Sequence, residues 1–276
     1  MNFSYWFLFT ISLIIYMTGS MINILADFFI ARKQKQRIIC DYCGQPRLFY
    51  HYIGFYRNCP FCGANIPLRY GLLILMTISI SIITLMMTSE IYIWVVMWFI
   101  WSYCLIIAII DWEKRWVLRS TLIVGIIISL LIGAYLHGWY RAWLGGLIYF
   151  WVILLIFLGG LIYKTIRFKK LHILSSPIGL NDVILACILG LILGEDLAPQ
   201  GLAVSFVIIG LFSLILFAHQ IYHHKYDPQT PIPFGALLSI SGLFVIMMSL
   251  LDINMICALN RCVIFPKPIF PFLIFP

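Results

Sequence analysis

The chain has 276 residues, 63% of them hydrophobic and only 10% charged. Soluble domains carry about 25% charged residues, so lipid has to solvate much of this surface and a soluble globular enzyme is excluded. The net charge of +8 would suit a nucleic-acid binder, but the basic residues fall in short clusters between apolar stretches, as membrane topology requires. No nucleic-acid partner is expected.

A spanning helix needs about 20 apolar residues. Eight stretches meet or approach that length, at residues 5–30, 70–87, 91–110, 120–136, 142–163, 182–194, 201–219 and 234–251. The expected fold is an all-α polytopic membrane protein of about eight transmembrane helices, with seven as the acceptable lower count. The first stretch lacks a basic n-region, and its basic cluster comes after it, so it is expected to stay as a helix rather than act as a cleaved signal. The sixth stretch is short, as for a helix that starts in a cavity or beside an irregular segment.

An outside N-terminus with alternating crossings puts fifteen of the eighteen lysines and arginines inside and three, Arg141, Arg261 and Lys267, outside. The opposite orientation inverts that bias, so both termini are expected outside. Four regions follow. Residues 1–31 hold the first transmembrane helix, and 32–69 a cytoplasmic insertion large enough for a small domain. Residues 70–253 form the membrane core, and 254–276 a tail with four prolines and no helical period.

The insertion carries Cys40-Asp-Tyr-Cys43 and, fifteen residues on, Cys59-Pro-Phe-Cys62. This spacing reads as a zinc site. Two-residue spacing lets both thiolates of a knuckle reach one ion, and four complete a closed tetrahedral shell. Gly44 and Gly63 follow the second cysteine of each knuckle, where a tight turn favours glycine. A pair of disulfides is the alternative, disfavoured in a cytoplasmic loop where thiols stay reduced. A closed shell makes the zinc structural, folding a segment with no core of its own. Cys104 and Cys187 lie in apolar stretches and read as small hydrophobes, while Cys257 and Cys262 are isolated.

Ten acidic residues are present, so each can be placed. Glu90, Glu195, Asp196 and Asp252 fall at outer loops or helix ends, and Asp41 and Asp227 in inner loops, where solvation is the default. Asp27, near the inner end of the first span, is expected to pair with Arg32 or orient a partner. Asp111 ends the run Leu-Ile-Ile-Ala-Ile-Ile, and Asp182 starts the run Val-Ile-Leu-Ala-Cys-Ile-Leu, both on the cytoplasmic side of this topology. Ionisable groups at this depth tend to face a cavity or a partner. Two close carboxylates share a proton, one acting as base and the other as acid in peptide hydrolysis. The structural alternatives are that Asp182 caps its helix and that Arg115, four positions on, neutralises Asp111.

Taken in order, several pieces resemble the type IV prepilin peptidase family of GxGD-type intramembrane aspartyl proteases. Gly19-Ser20-Met-Ile-Asn23 is similar to the family's G-S-x-x-N. The paired knuckles follow, then Arg69-Tyr70, similar to the start of R-Y-P. Asp111-Trp112-Glu113-Lys114-Arg115 resembles the first catalytic aspartate with its basic follow-on. Gly179-Leu180-Asn181-Asp182 stands where the family has G-x-G-D, and Pro233-Phe234-Gly235 resembles the P-F-G of the last helix. The match spans about residues 19–251. Asn181 replaces the second glycine, and left-handed backbone at Asn would preserve that turn. Ile184, Gly71 and Ile74 stand where the family has lysine, proline and glutamate.

The resemblance implies catalytic Asp111 and Asp182 cutting the basic leader from prepilins or pseudopilins at the cytoplasmic face of a bacterial inner membrane. It implies N-methylation of the new terminus with S-adenosylmethionine, since members that methylate carry the cysteine segment. No glycine-rich cofactor fingerprint marks the donor's place. The basic loops would sit beside lipid headgroups, leaving Asp27, Asp41 and Glu113 as leader contacts. Two alternatives stay open: a same-fold peptidase for other leader-bearing membrane proteins without methyl transfer, and a non-enzymatic zinc-knuckle membrane scaffold.

The remaining features have structural readings. His219, His223 and His224 lack an acidic or thiol partner for a metal and are read as solvated or headgroup-level residues. Tryptophans and tyrosines such as Trp139-Tyr140 fit interfacial belts. Gly145-Gly146 and Gly159-Gly160 are expected to permit close helix contact.

Overall fold

In a computed structural model the described residues are 5–34, 39–40, 43–45, 52, 58–59, 61–64, 69–87, 91–115, 117, 119–168, 179–223 and 232–259. Seven helices follow one another among them: α1 (Tyr5–Gln34), α2 (Arg69–Met87), α3 (Ile91–Lys114), α4 (Arg119–His137), α5 (Trp139–Phe168), α6 (Leu180–Tyr222) and α7 (Phe234–Leu259). Six are long and apolar enough to cross a membrane, and the apolar part of α7, Phe234–Ser249, is shorter. Among the described residues every regular element of more than one residue is a helix, six of them fit a membrane protein, and a cysteine cluster follows the first. Its exterior is apolar in the way lipid requires: Met86, Ile123, Leu131, Leu155 and Leu214 are all exposed. Asp41, Glu90, Asp227, Arg47, Arg57, His224, Cys262 and residues 260–276 lie outside the described residues, as do the side chains of Asp252 and Cys257. The last helix reaches Leu259, so the first residues of the expected tail are helical.

The chain divides into two compact units, Met1–Arg119 with Lys225–Ile240, and Ser120–His224 with Ser241–Pro276. In the first unit α2 runs antiparallel to α1. Asn23 Nδ2 donates to the Tyr70 carbonyl at 3.4 Å, while Gly19 abuts Ile74 and Thr77. A Cβ on Gly19 would lie 2.6 Å from Thr77 Oγ1 and 3.1 Å from Ile74 Cα, so the absent side chain sets the approach of the two helices. Along the same length α3 runs parallel to α1. Trp94 packs on Ile11 and Ile15, and Ile110 packs on Ala26 and Ile30. This places the end of α3 beside the end of α1, where Asp27 and Asp111 reside.

In the second unit α6 spans 43 residues. Straight, it would measure about 64 Å at a 1.5 Å rise, about twice the hydrocarbon thickness. It breaks at Gly194, whose φ of 70° and ψ of 178° are open only to glycine. Pro199 lacks the N–H that the Glu195 carbonyl would receive and weakens the same stretch. The sixth and seventh expected stretches thus lie on either side of a non-helical residue. Carbonyls before such a break lose their intrahelical donors, and His137 Nε2 lies 3.0 Å from one of them, Ile192 O.

Glycines set the contact of α5 with α6. A Cβ on Gly190 would fall 2.4 Å from Gly145 O, and one on Gly145 would fall 2.5 Å from Gly190 O. Backbone touches backbone there, the close approach that small residues allow in lipid. Among the described residues nothing lies within 4 Å of a Cβ on Gly159 or Gly160, so the contact expected of that second pair is absent from them. Ser205 and Ser241, with hydroxyl oxygens 2.6 Å apart, join α6 to α7.

Candidate functional site

The two knuckles fold alike. In the first, the Gly44 N–H donates to Cys40 O at 2.9 Å and the Cys40 N–H to Gln45 O at 2.8 Å. In the second, the Gly63 N–H donates to Cys59 O at 2.8 Å and the Cys59 N–H to Ala64 O at 2.7 Å. Gly44 and Gly63 both have φ of +70°, so the tight turn expected of each is left-handed, as glycine allows. The four sulfurs lie within 4.8 Å of one another, with Cys40–Cys62 and Cys43–Cys59 each at 3.9 Å. A tetrahedron of sulfurs about 2.3 Å from zinc has edges of about 3.8 Å, whereas a disulfide needs about 2.05 Å. The cysteines are free thiols whose spacing fits a zinc ion and not a cross-link. The Ala64 N–H lowers the Cys62 thiol pKa but is outweighed by desolvation and by hydrogen bonding with the Cys43, Cys59 and Cys40 thiols, which push it up to about 12. The Cys62 thiol therefore keeps its proton until a cation neutralises its sulfur. Outside the cluster, Cys104 is buried as a small hydrophobe.

An ionic network, buried at Asp27 and open to solvent at Glu113, lies at the end of α1, α2 and α3. The Arg69 guanidinium, in the first turn of α2, takes Asp27 of α1 with one nitrogen and Glu113 of α3 with the other. Oδ2 of Asp27 also accepts from Tyr70 at 2.6 Å and from Tyr52 at 3.1 Å. Burial of charge requires such pairing. Arg69 is thus a partner of Asp27 that the proximity of Arg32 in sequence did not indicate. Asp27 and Glu113, expected as leader contacts, both pair with that cation. Asn23, the last residue of the G-S-x-x-N resemblance, is fully buried with Ser20, and its amide reaches both Gly19 O and Tyr70 O. Tyr52 carried no motif, and its role emerges only from the fold.

Asp111 lies in the last turn of α3 and is 4% exposed. Its Oδ2 accepts the Ala236 N–H at 2.9 Å. Ala236 stands in the first turn of α7, behind Pro233, Phe234 and Gly235, which are buried. The unpaired N–H groups of a helix start suit a carboxylate, so the P-F-G element delivers a donor to Asp111. The helix after Asp111 closes when the Arg115 N–H donates to Asp111 O at 2.8 Å, with Arg115 left-handed at φ 56°. That position usually holds glycine.

Asp182, in the second unit, is the third residue of α6 and 9% exposed. The Gly179 N–H donates to its Oδ2 at 2.8 Å, and the Asp182 N–H donates to Gly179 O at 3.0 Å. The carboxylate bond is the N3 half of a capping box with Gly179 as N-cap, while a backbone bond takes the place of the other half. Gly179 is extended, with φ −87° and ψ 155°, and Asn181 is helical. Arg115 is the only non-glycine with positive φ among the described residues, so the left-handed turn expected at Asn181 is absent. Helical geometry at position 181 needs no glycine.

The His219 and His223 rings touch each other at 4.4 Å between centroids. Among the described residues, the four cysteines are the one group of three or more His, Cys, Asp or Glu arranged to hold a metal. No family model, curated protein or solved structure matches the chain.

Proposed function

We propose that the chain is an intramembrane aspartyl endopeptidase of the prepilin-peptidase type, with Asp111 and Asp182 as its carboxylate pair. The observation that carries this is the bond from Ala236 to Asp111. It joins the motif around the first aspartate to the P-F-G element, two pieces that the resemblance singled out separately. The contact of Asn23 with Tyr70 joins two more. A nearly buried carboxylate at the end of a membrane-capable helix is a functional-site candidate in its own right.

In this mechanism one carboxylate takes a proton from water, which attacks the scissile carbonyl, and the other protonates the leaving amine. The Ala236 N–H holds one oxygen of Asp111 in a fixed direction. The substrates are prepilins or pseudopilins, cut at the cytoplasmic face of a bacterial inner membrane. Both termini lie outside, and eight crossings result if the halves of α6 on either side of Gly194 each cross. Zinc in the cysteine cluster is structural, and S-adenosylmethionine would serve methylation of the new N-terminus.

A second reading, the non-enzymatic zinc-knuckle scaffold, is favoured by the capping box, which already employs an oxygen of Asp182. Co-expression of a pilin precursor with wild type, Asp111→Asn and Asp182→Asn separates the two. Mass spectrometry of the product is expected to show leader removal by wild type alone. Processing by either variant sinks the carboxylate pair, and absence of processing by wild type leaves the scaffold. A methyl group on the mature terminus separates the bifunctional enzyme from a peptidase that does not methylate.

A further inference from the structure

Tyr52 belongs to the loop between the two knuckles, nine residues after Cys43 and seven before Cys59. It is nonetheless buried, and its hydroxyl ends on Asp27. Asp27 holds Arg69, Arg69 holds Glu113, and Glu113 lies two residues past Asp111 on the same helix end. Arg69 itself starts α2 seven residues after Cys62. A continuous set of polar contacts therefore runs from inside the cysteine loop, across α1 and α2, to the turn that carries Asp111. In it one guanidinium serves both carboxylates, and the hydroxyls of Tyr52 and Tyr70 also donate to Asp27. A side chain carried between two knuckles that a metal would join is a donor the metal could govern.

We infer that Tyr52, Asp27, Arg69 and Glu113 are positioning residues for Asp111, and that zinc in the cysteine site keeps them in place. Loss of the metal releases Tyr52, removes its hydroxyl from Asp27, and loosens the ion pairs that hold the end of α3. A shift of about 1 Å in a catalytic group costs about a hundredfold in rate, so the route gives the structural zinc authority over the chemistry. The catalytic part of this inference rests on the function proposed above. The mechanical part does not.

Hydrogen exchange of the full chain in detergent, zinc-loaded and chelator-treated, tests the mechanical part. Zinc removal is expected to raise exchange severalfold at residues 110–115 of wild type and to leave residues 142–158 unchanged. Tyr52→Phe is expected to raise exchange at 110–115 with zinc still bound and to shrink the response to chelator. Unchanged exchange at 110–115 after demetallation overturns the coupling. With a prepilin substrate, Tyr52→Phe and Glu113→Gln should lower kcat at constant KM, and Glu113→Asp should restore part of it. Residues acting on one route are non-additive, so the double variant should lose less than the product of the single losses, by about threefold or more. Multiplicative losses overturn the shared route. If wild type cuts no prepilin, the proposed function fails, and the exchange result still decides the coupling.

Discussion

The backbone N–H of Ala236 donates to Oδ2 of Asp111 across 2.9 Å, joining residues 125 positions apart. That bond separates the carboxylate's structural role from any chemical one. Asn at position 111 keeps an oxygen for Ala236, whereas Leu leaves a buried N–H unpaired, at a cost of about 1–3 kcal/mol. Thermal unfolding in detergent should therefore place Asp111→Asn close to wild type and Asp111→Leu clearly below it. On the proposed function, cleavage should fall by about a thousandfold or more in both. An Asp111→Asn protein that unfolds as early as Asp111→Leu would show that charge, not the acceptor, holds this contact.

Asp182 allows the same separation at the start of α6. Its carboxylate accepts the Gly179 N–H, and loss of a cap costs about 0.5–2 kcal/mol. Asp182→Ala is expected to lose that stability, and Asp182→Asn to keep most of it. If Asp182 is only a cap, Asp182→Asn also keeps full activity. If it is catalytic, Asp182→Asn is stable and inactive. Melting temperature and leader removal, measured on the same preparations, decide between these outcomes.

Among the paired glycines, Gly190→Ala would drive a methyl to 2.4 Å from the backbone oxygen of Gly145. Overpacking of this kind costs about 1–3 kcal/mol. Gly159→Ala and Gly160→Ala meet nothing within 4 Å, and alanine is the better helix former by about 0.8–1.0 kcal/mol. Unfolding in detergent should show Gly190→Ala destabilised and the other two neutral or slightly stabilised. A destabilised Gly159→Ala would reveal a contact for that face of α5 in the assembled membrane protein.

The helices are legible in the chain because a run of apolar residues long enough to span lipid has few alternatives. The cysteine site is legible for a similar reason: paired two-residue spacings and a glycine after each pair suit little else. The ionic network is not, since Asp27, Arg69 and Glu113 lie 42 and 44 positions apart and no periodicity relates residues on different helices. Spacing offered Arg32 to Asp27 as the near neighbour, but the fold delivers Arg69. Backbone conformation was partly hidden too. Residue type points to Asn181 for the left-handed turn, yet Arg115 adopts it, because the end of α3 requires that geometry whatever residue stands there. Gly194 could be read as the end of the sixth stretch but not as the break in a longer helix, since its conformation is set by the helices packed around it.

Zinc binding should be strongly pH-dependent, with a definite sign. The Cys62 thiol of the metal-free cluster has its pKa pushed up to about 12, so at neutral pH it carries its proton. Zinc takes the thiolate, and binding must expel that proton. Lower pH favours the protonated, metal-free form, and each proton released weakens apparent affinity about tenfold per pH unit of acidification. Because the raised value lies far above neutrality, this slope for Cys62 extends across the physiological range without levelling off. Competition with a chromogenic chelator between pH 6 and pH 8 should show affinity rising steadily with pH and protons released into weak buffer on loading. Cys40→Ser removes one of the four sulfurs and should lower the zinc bound per chain at every pH. A zinc content unchanged in that variant, or an affinity flat with pH, would refute the thiolate shell.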